Sequence, residues 1–196
     1  MPKDWRSTGG TDWQNVQSLP PDSYRCGYCS YDVASAHGLA ARDGLAVVRI
    51  CPQCNGPTFF SHDGRQWPGP KLGANMSKLP TDVGAIYEEA RSSVTVNAFT
   101  ATVLLCRKLL MHVAVEKGAP KDKAFLEYVN WLIQERYAPK GAENWLDYIR
   151  RRSNEANHQI SIMEATDAKA LILLTEQLLR NVYELADSAP PQPASQ

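Results

Sequence analysis

The 196-residue chain balances 21 Lys and Arg against 21 Asp and Glu, so no global field draws it to nucleic acid or an anionic membrane; any such contact needs a local patch. That length supports one good core and a small satellite domain. No stretch approaches the ~18 uninterrupted apolar residues of a membrane span, and Met1-Pro-Lys-Asp-Trp-Arg lacks the apolar core of a signal peptide, so a cytoplasmic protein with no membrane partner is expected.

A composition shift falls near residue 80. The first 80 residues carry eight of thirteen Pro, nine of twelve Gly and no Glu, whereas the remainder is rich in Ala, Leu, Glu and Arg. Loops and short strands are expected before the shift, helices after it. Residues 1–22 lack periodicity and read as a flexible or docking tail, in which Trp5 and Trp13 are unusual for pure disorder.

Cys26-Gly27-Tyr28-Cys29 and Cys51-Pro52-Gln53-Cys54 follow. Each CxxC turn can present two thiolates to one ion about 2.3 Å away, and two such knuckles close a tetrahedron. The spacing between them is 21 residues, one beyond the usual range, which a longer hairpin absorbs. Leu45 to Ile50 and Thr58 to Phe60 are the expected strands of a zinc ribbon. A redox dithiol is the rival reading. A closed four-cysteine shell makes the zinc structural, with a binding free energy on the order of 10 kcal/mol and no catalytic role. His37 and His62 lie outside that filled shell.

Residues 63–78 read as a Pro/Gly-rich linker. Thr81 or Asp82 can cap a first helix through Ala90. A second spans about 96–117 and stops at Gly118-Ala119-Pro120. Its middle, Ala101 to Cys106, is apolar nearly all round, as in a buried helix, and Cys106 is read as a small core residue. Arg107 ends that block and needs a partner or a route to solvent. A third helix covers about 122–135 and a fourth runs from about Glu143 through Ile149-Arg150-Arg151-Arg152-Ser153-Asn154-Glu155-Ala156-Asn157-His158. The last, about 166–186, repeats Leu171, Leu174, Leu178, Val182 and Leu185.

The order of a CxxC module, Leu79-Pro80 before Tyr87-Glu88-Glu89-Ala90, Arg107 closing a buried helix, Ile149-Arg150 through His158, and Leu178-Leu179 with Tyr183 resembles the bacterial family called domain of unknown function 4145. The resemblance spans about residues 79–187 and places that stretch with the HEPN superfamily of small helical bundles. It implies a mainly α fold, an up-and-down HEPN-like bundle of four or five helices over 79–187. A small N-terminal β zinc ribbon at 23–62 precedes it, and a disordered tail at 188–196 follows.

Many HEPN proteins are homodimeric, metal-independent endoribonucleases of toxin and antiviral systems, with an Arg followed after four to six residues by a His. Arg152 and Arg151 both satisfy that spacing to His158. At about 100° per residue Arg151 lies within roughly 20° of His158 around a helix, and Arg152 roughly 120° away. Arg150 best matches the narrower family's pattern. Ser153 stands where that family usually has Gly, and Gln159 where Pro often follows.

The resemblance thus implies His158 as acid or base, Arg151 or Arg150 on the phosphoryl charge, and Asn154 as orienting group. Homodimerisation through the helices, and RNA or a defence or restriction-system protein as partner, come with it. The bland rival is a solvated arginine face paired with Glu143, Asp147 and Glu155. The alternative function is a non-catalytic nucleic-acid- or protein-binding assembly module with a structural zinc ribbon. A nucleotide-binding bundle lacks support because no Gly-rich phosphate loop is present.

Overall fold

The computed structural model describes residues 13–138, 144 and 162–185. The chain divides into two compact units, Met1–Lys71 with Val94–Asn97, and Leu72–Ser93 with Ala98–Gln196. The tail to residue 12, the expected fourth helix with its arginines (Asn144 excepted), and the expected C-terminal tail lie outside the described residues.

In the first unit, β1 (Gln17–Arg25), β2 (Asp32–Ala40), β3 (Val47–Ile50), β4 (Pro57–Phe60) and β5 (Gln66–Trp67) form an antiparallel meander in chain order. The β-branched run Val47-Val48 with Ile50 suits β3, which pairs with β4 from Val47↔Phe60 to Ile50↔Pro57. Asp43-Gly44 turns the chain between β2 and β3, with Gly44 at φ 70, a conformation open to Gly at no steric cost.

This sheet corrects the expected fold class: the protein combines a five-stranded antiparallel sheet with helices, mixed α and β rather than a mainly α up-and-down bundle. The expected tail of 1–22 and linker of 63–78 each contain strand, β1 from Gln17 and β5 at Gln66–Trp67. The physical reason lies in β1. Pro20-Pro21 removes two donors, which reads as loop, but an edge strand tolerates Pro where the ladder is interrupted. Here the β1–β2 register shifts between Ser18 and Asp22. The buried Arg49 of β3 closes that irregularity, its Nη1 donating to the carbonyls of Ser35 at 2.6 Å and Pro20 at 3.0 Å. Asp22 lies 3.6 Å from its Nε.

The second unit contains, among the described residues, α1 (Thr81–Thr95) as far as Ser93, α2 (Phe99–Glu116), α3 (Phe125–Gln134) and α4 (Ala165–Leu179), the last continuing into a π-helical turn at Arg180–Leu185. The second helix starts three residues later than expected because Asn97, at φ 59, breaks the chain between α1 and α2. Asp122 at φ 60 likewise delays α3, whose first turn closes when Ala124 N–H donates to Glu127 Oε2 at 2.8 Å.

Helix α2 packs against α3 and α4. Cys106, Leu110 and Val113 of α2, Leu132 of α3 and Ile172, Leu178 and Leu179 of α4 are at most 1 % exposed, and each large apolar side chain so buried contributes roughly 1.5–3 kcal/mol. Leu185 departs from the expected stripe and is exposed. Burial pushes the Cys106 thiol up to about 12, which fits a core residue and not a reactive thiolate. Arg107 lies over the Phe125 ring, 4.6 Å from its centroid, a partner of the cation–π kind.

A buried polar network holds the segment Leu72–Ala74 in this unit. Arg91 donates from Nε to the Leu72 carbonyl and from Nη2 to the Gly73 carbonyl, both at 3.0 Å, and from Nη1 to Glu88 at 2.6 Å. Glu176 accepts the Ala74 N–H at 3.0 Å and pairs with Arg180. Gly73 sits at φ +74, and a Cβ there would come 2.6 Å from Tyr87 Oη and 3.0 Å from Ile172 Cγ2. Gly73→Ala is therefore expected to cost about 1–3 kcal/mol in denaturant melts. Gly84→Ala, whose Cβ would meet only Leu79 at 3.6 Å inside α1, should instead stabilise by about 0.5–1 kcal/mol.

Candidate metal centre

The two CxxC turns occupy equivalent places in the sheet. Cys26 directly follows β1 and β2 begins six residues later; Cys51 directly follows β3 and β4 begins six residues later. Each turn repeats one hydrogen-bond pattern. Ser30 N–H donates to the Cys26 carbonyl at 2.9 Å and Asn55 N–H to the Cys51 carbonyl at 2.8 Å. Cys26 N–H reaches the Tyr31 carbonyl and Cys51 N–H the Gly56 carbonyl, both at 2.9 Å.

Ser30 and Asn55 both adopt positive φ, 62 and 59, which costs a non-Gly residue energy and persists only where its surroundings impose it. In both turns that reversal folds the chain back after the second cysteine, so that the carbonyl of the residue following Ser30 or Asn55 meets the N–H of the first cysteine. Gly56 is required for a different reason: a Cβ would lie 2.8 Å from Tyr28 Cδ2 and 3.3 Å from Cys54 Sγ.

The four sulfurs lie within 4.8 Å of one another. Cys26 Sγ to Cys54 Sγ and Cys29 Sγ to Cys51 Sγ are each 3.8 Å. Four ligands about 2.3 Å from a central ion stand about 3.8 Å apart at the corners of a tetrahedron. The cysteines are free thiols rather than disulfides. The quartet can therefore hold a metal ion, and no histidine joins it among the described residues.

Backbone N–H groups face the sulfurs, those of Tyr28 and Cys29 toward Cys26, those of Gln53 and Cys54 toward Cys51, and that of Gly56 toward Cys54. Burial nonetheless pushes the Cys26 thiol up to about 11 and the Cys54 thiol upward as well. Against burial, the N–H groups bring Cys51 down. A cation that neutralises the buried Cys26 and Cys54 thiolates would offset the burial that holds those two thiols protonated.

Tyr24, its ring edge-on to Phe60 at 5.1 Å, packs with Tyr28, Val33 and the cysteines into one small core. Trp13 docks here too, its Nε1 donating to the Asn55 carbonyl at 3.1 Å, so one tail tryptophan belongs to the ribbon itself. Sequence reading missed Arg49 and the positive-φ residues; Asn55-Gly56 was the available turn signal.

Of the other candidate residues, Arg150, Arg151, Arg152, Asn154 and His158 lie outside the described residues. No helix among the described residues is long and apolar enough to cross a membrane. The family model described as Domain of unknown function (DUF4145) matches residues 88–194. Searches of curated proteins and of solved structures found no match.

Proposed function

The chain belongs to the DUF4145 family, and on that premise we propose that it is a recognition and assembly protein. In this reading a structural zinc ion folds the ribbon, and a helical unit related to the HEPN superfamily pairs with a second copy. The observation that carries it is the pair of matched knuckles with sulfurs at 3.8 Å. Zinc imposes no geometry of its own and suits four thiolates, and a closed shell leaves no open position for substrate. Tyr31 and Phe59, 60 % and 40 % exposed on the same unit, supply aromatic surface for a partner.

Zinc must displace the thiol protons, so binding is expected to strengthen as pH rises and to fail as pH falls. With two or more protons released per ion, affinity should drop by about 10⁴ or more between pH 8 and pH 6, measured by competition with a chromogenic chelator. An affinity independent of pH would contradict thiolate ligation.

The second reading is a metal-independent endoribonuclease. The spacing of Arg151, Asn154 and His158 on one face of a regular helix favours it. In that chemistry His158 takes the 2′-OH proton or protonates the leaving oxygen, Arg151 or Arg150 steadies the phosphoryl charge, and Asn154 orients the pair. One experiment separates the readings: single-stranded RNA incubated with the full chain in EDTA. A recognition protein leaves the RNA intact. A nuclease cuts it, and His158→Ala then lowers the rate by roughly 10²–10⁴ while folding and dimerisation survive.

A further inference from the structure

The second unit holds a second constellation, remote in sequence from the cysteines and from the arginine stretch. A cavity of about 270 Å³ opens between the first turns of α1 and the C-terminal half of α2, lined by Asp82, Val83, Ile86, Lys108, Leu109 and His112. Its size falls just below the roughly 300–1,000 Å³ of sites for drug-sized ligands, which points to a smaller molecule. Val83 and Leu109 are each 2 % exposed and Ile86 is half-buried, so the floor is apolar. The rim carries opposite charges.

Those charges do not satisfy each other. Asp82 accepts the neighbouring Val83 N–H at 3.0 Å, and among the described residues Lys108 forms no ion pair. His112 is braced instead. Its Nε2 lies 3.7 Å from Glu116, and Glu116 is fixed in turn by Tyr183 Oη, which donates at 2.6 Å, and by Lys117 Nζ at 2.9 Å. Tyr183 belongs to the π-helical turn Arg180–Leu185, and such turns are rare and concentrate at functional sites.

We propose that this cavity binds a free apolar α-amino acid. Its ammonium would sit at Asp82, its carboxylate at Lys108 and His112, and its side chain on Val83, Ile86 and Leu109. A zwitterion matches a rim on which Asp82 and Lys108 form no ion pair among the described residues, and an apolar side chain matches the floor. This site is independent of the zinc ribbon and of either functional reading above.

The test is calorimetric titration of the full chain with L-leucine and L-phenylalanine, beside two halves of leucine: 4-methylpentanoate, without the ammonium, and 3-methylbutylamine, without the carboxylate. At least one amino acid should bind with Kd below about 1 mM and each half-molecule at least about tenfold more weakly. Lys108→Ala should weaken leucine and 4-methylpentanoate but not the amine. Asp82→Asn, which keeps an acceptor for the Val83 N–H, should weaken leucine and the amine but not the acid. Both side chains are exposed, so helical circular dichroism should be unchanged in either variant. Absence of saturable binding by both amino acids up to about 20 mM, or losses that do not sort by ligand charge, overturns the proposal.

Discussion

Cys51→Ser is expected to strip the metal from the ribbon and melt its β-structure while the helical signal persists. The reasoning is energetic. The sheet of the first unit is small, and its core is Tyr24, Tyr28, Val33 and Phe60 packed on the cysteines themselves. A core of that size supplies little stability alone, and a structural ion supplies on the order of 10 kcal/mol. Removing one thiolate opens the tetrahedron, and the remaining sulfurs, those of buried Cys26 and Cys54 among them, then lack their cation. His37→Ala is the matched control: it removes a potential ligand from the same unit, yet the side chain is exposed and outside the quartet. It should leave metal content and melting unchanged. Retention of the metal by Cys51→Ser together with loss in His37→Ala would redraw the site.

The second large effect is expected from Arg91→Met, which should destabilise the helical unit by about 3–5 kcal/mol. Arg91 is 3 % exposed, and its three donors serve three different acceptors: Leu72, Gly73 and Glu88. Methionine keeps the volume and removes every donor, so the Leu72 and Gly73 carbonyls and the half-buried Glu88 carboxylate lose the bonds that Arg91 gives them. Arg91→Lys should recover less than half of the loss, because one ammonium cannot reproduce the planar fork. At about 2–4 °C per kcal/mol for a chain of this size, the methionine variant should melt about 6–20 °C lower. A shift below about 2 °C would mean that the segment Leu72–Ala74 is held by packing alone.

The cysteine cluster was legible because CxxC spacing is a direct statement about where two sulfurs can meet, and both pairs obey it. The helical unit was legible where apolar residues recur at three and four positions, as at Leu171, Leu174 and Leu178, all buried. The sheet was not. β1 holds Pro20-Pro21 and β2 is Asp-Val-Ala-Ser-Ala-His-Gly-Leu-Ala, so neither carries the β-branched alternation by which strands announce themselves.

What pairs them is non-local. Arg49 reaches across β2 to the Pro20 carbonyl, 29 residues away, and the knuckle after each of β1 and β3 fixes the register of the strand that follows. Tertiary context of that kind overrides local propensity and leaves no periodic trace. The positive-φ positions Asn97 and Asp122 moved two helix starts for a related reason: Asn and Asp tolerate the left-handed region, but nothing in their neighbours marks which of them adopts it.

The zinc reading meets its most direct test in elemental analysis of the full chain, purified without added metal or chelator, paired with a count of reactive thiols after denaturation in EDTA. One zinc per chain and all five cysteines recovered as thiols is the expected result. Substoichiometric metal, another metal in its place, or four cysteines recovered as disulfides would contradict it.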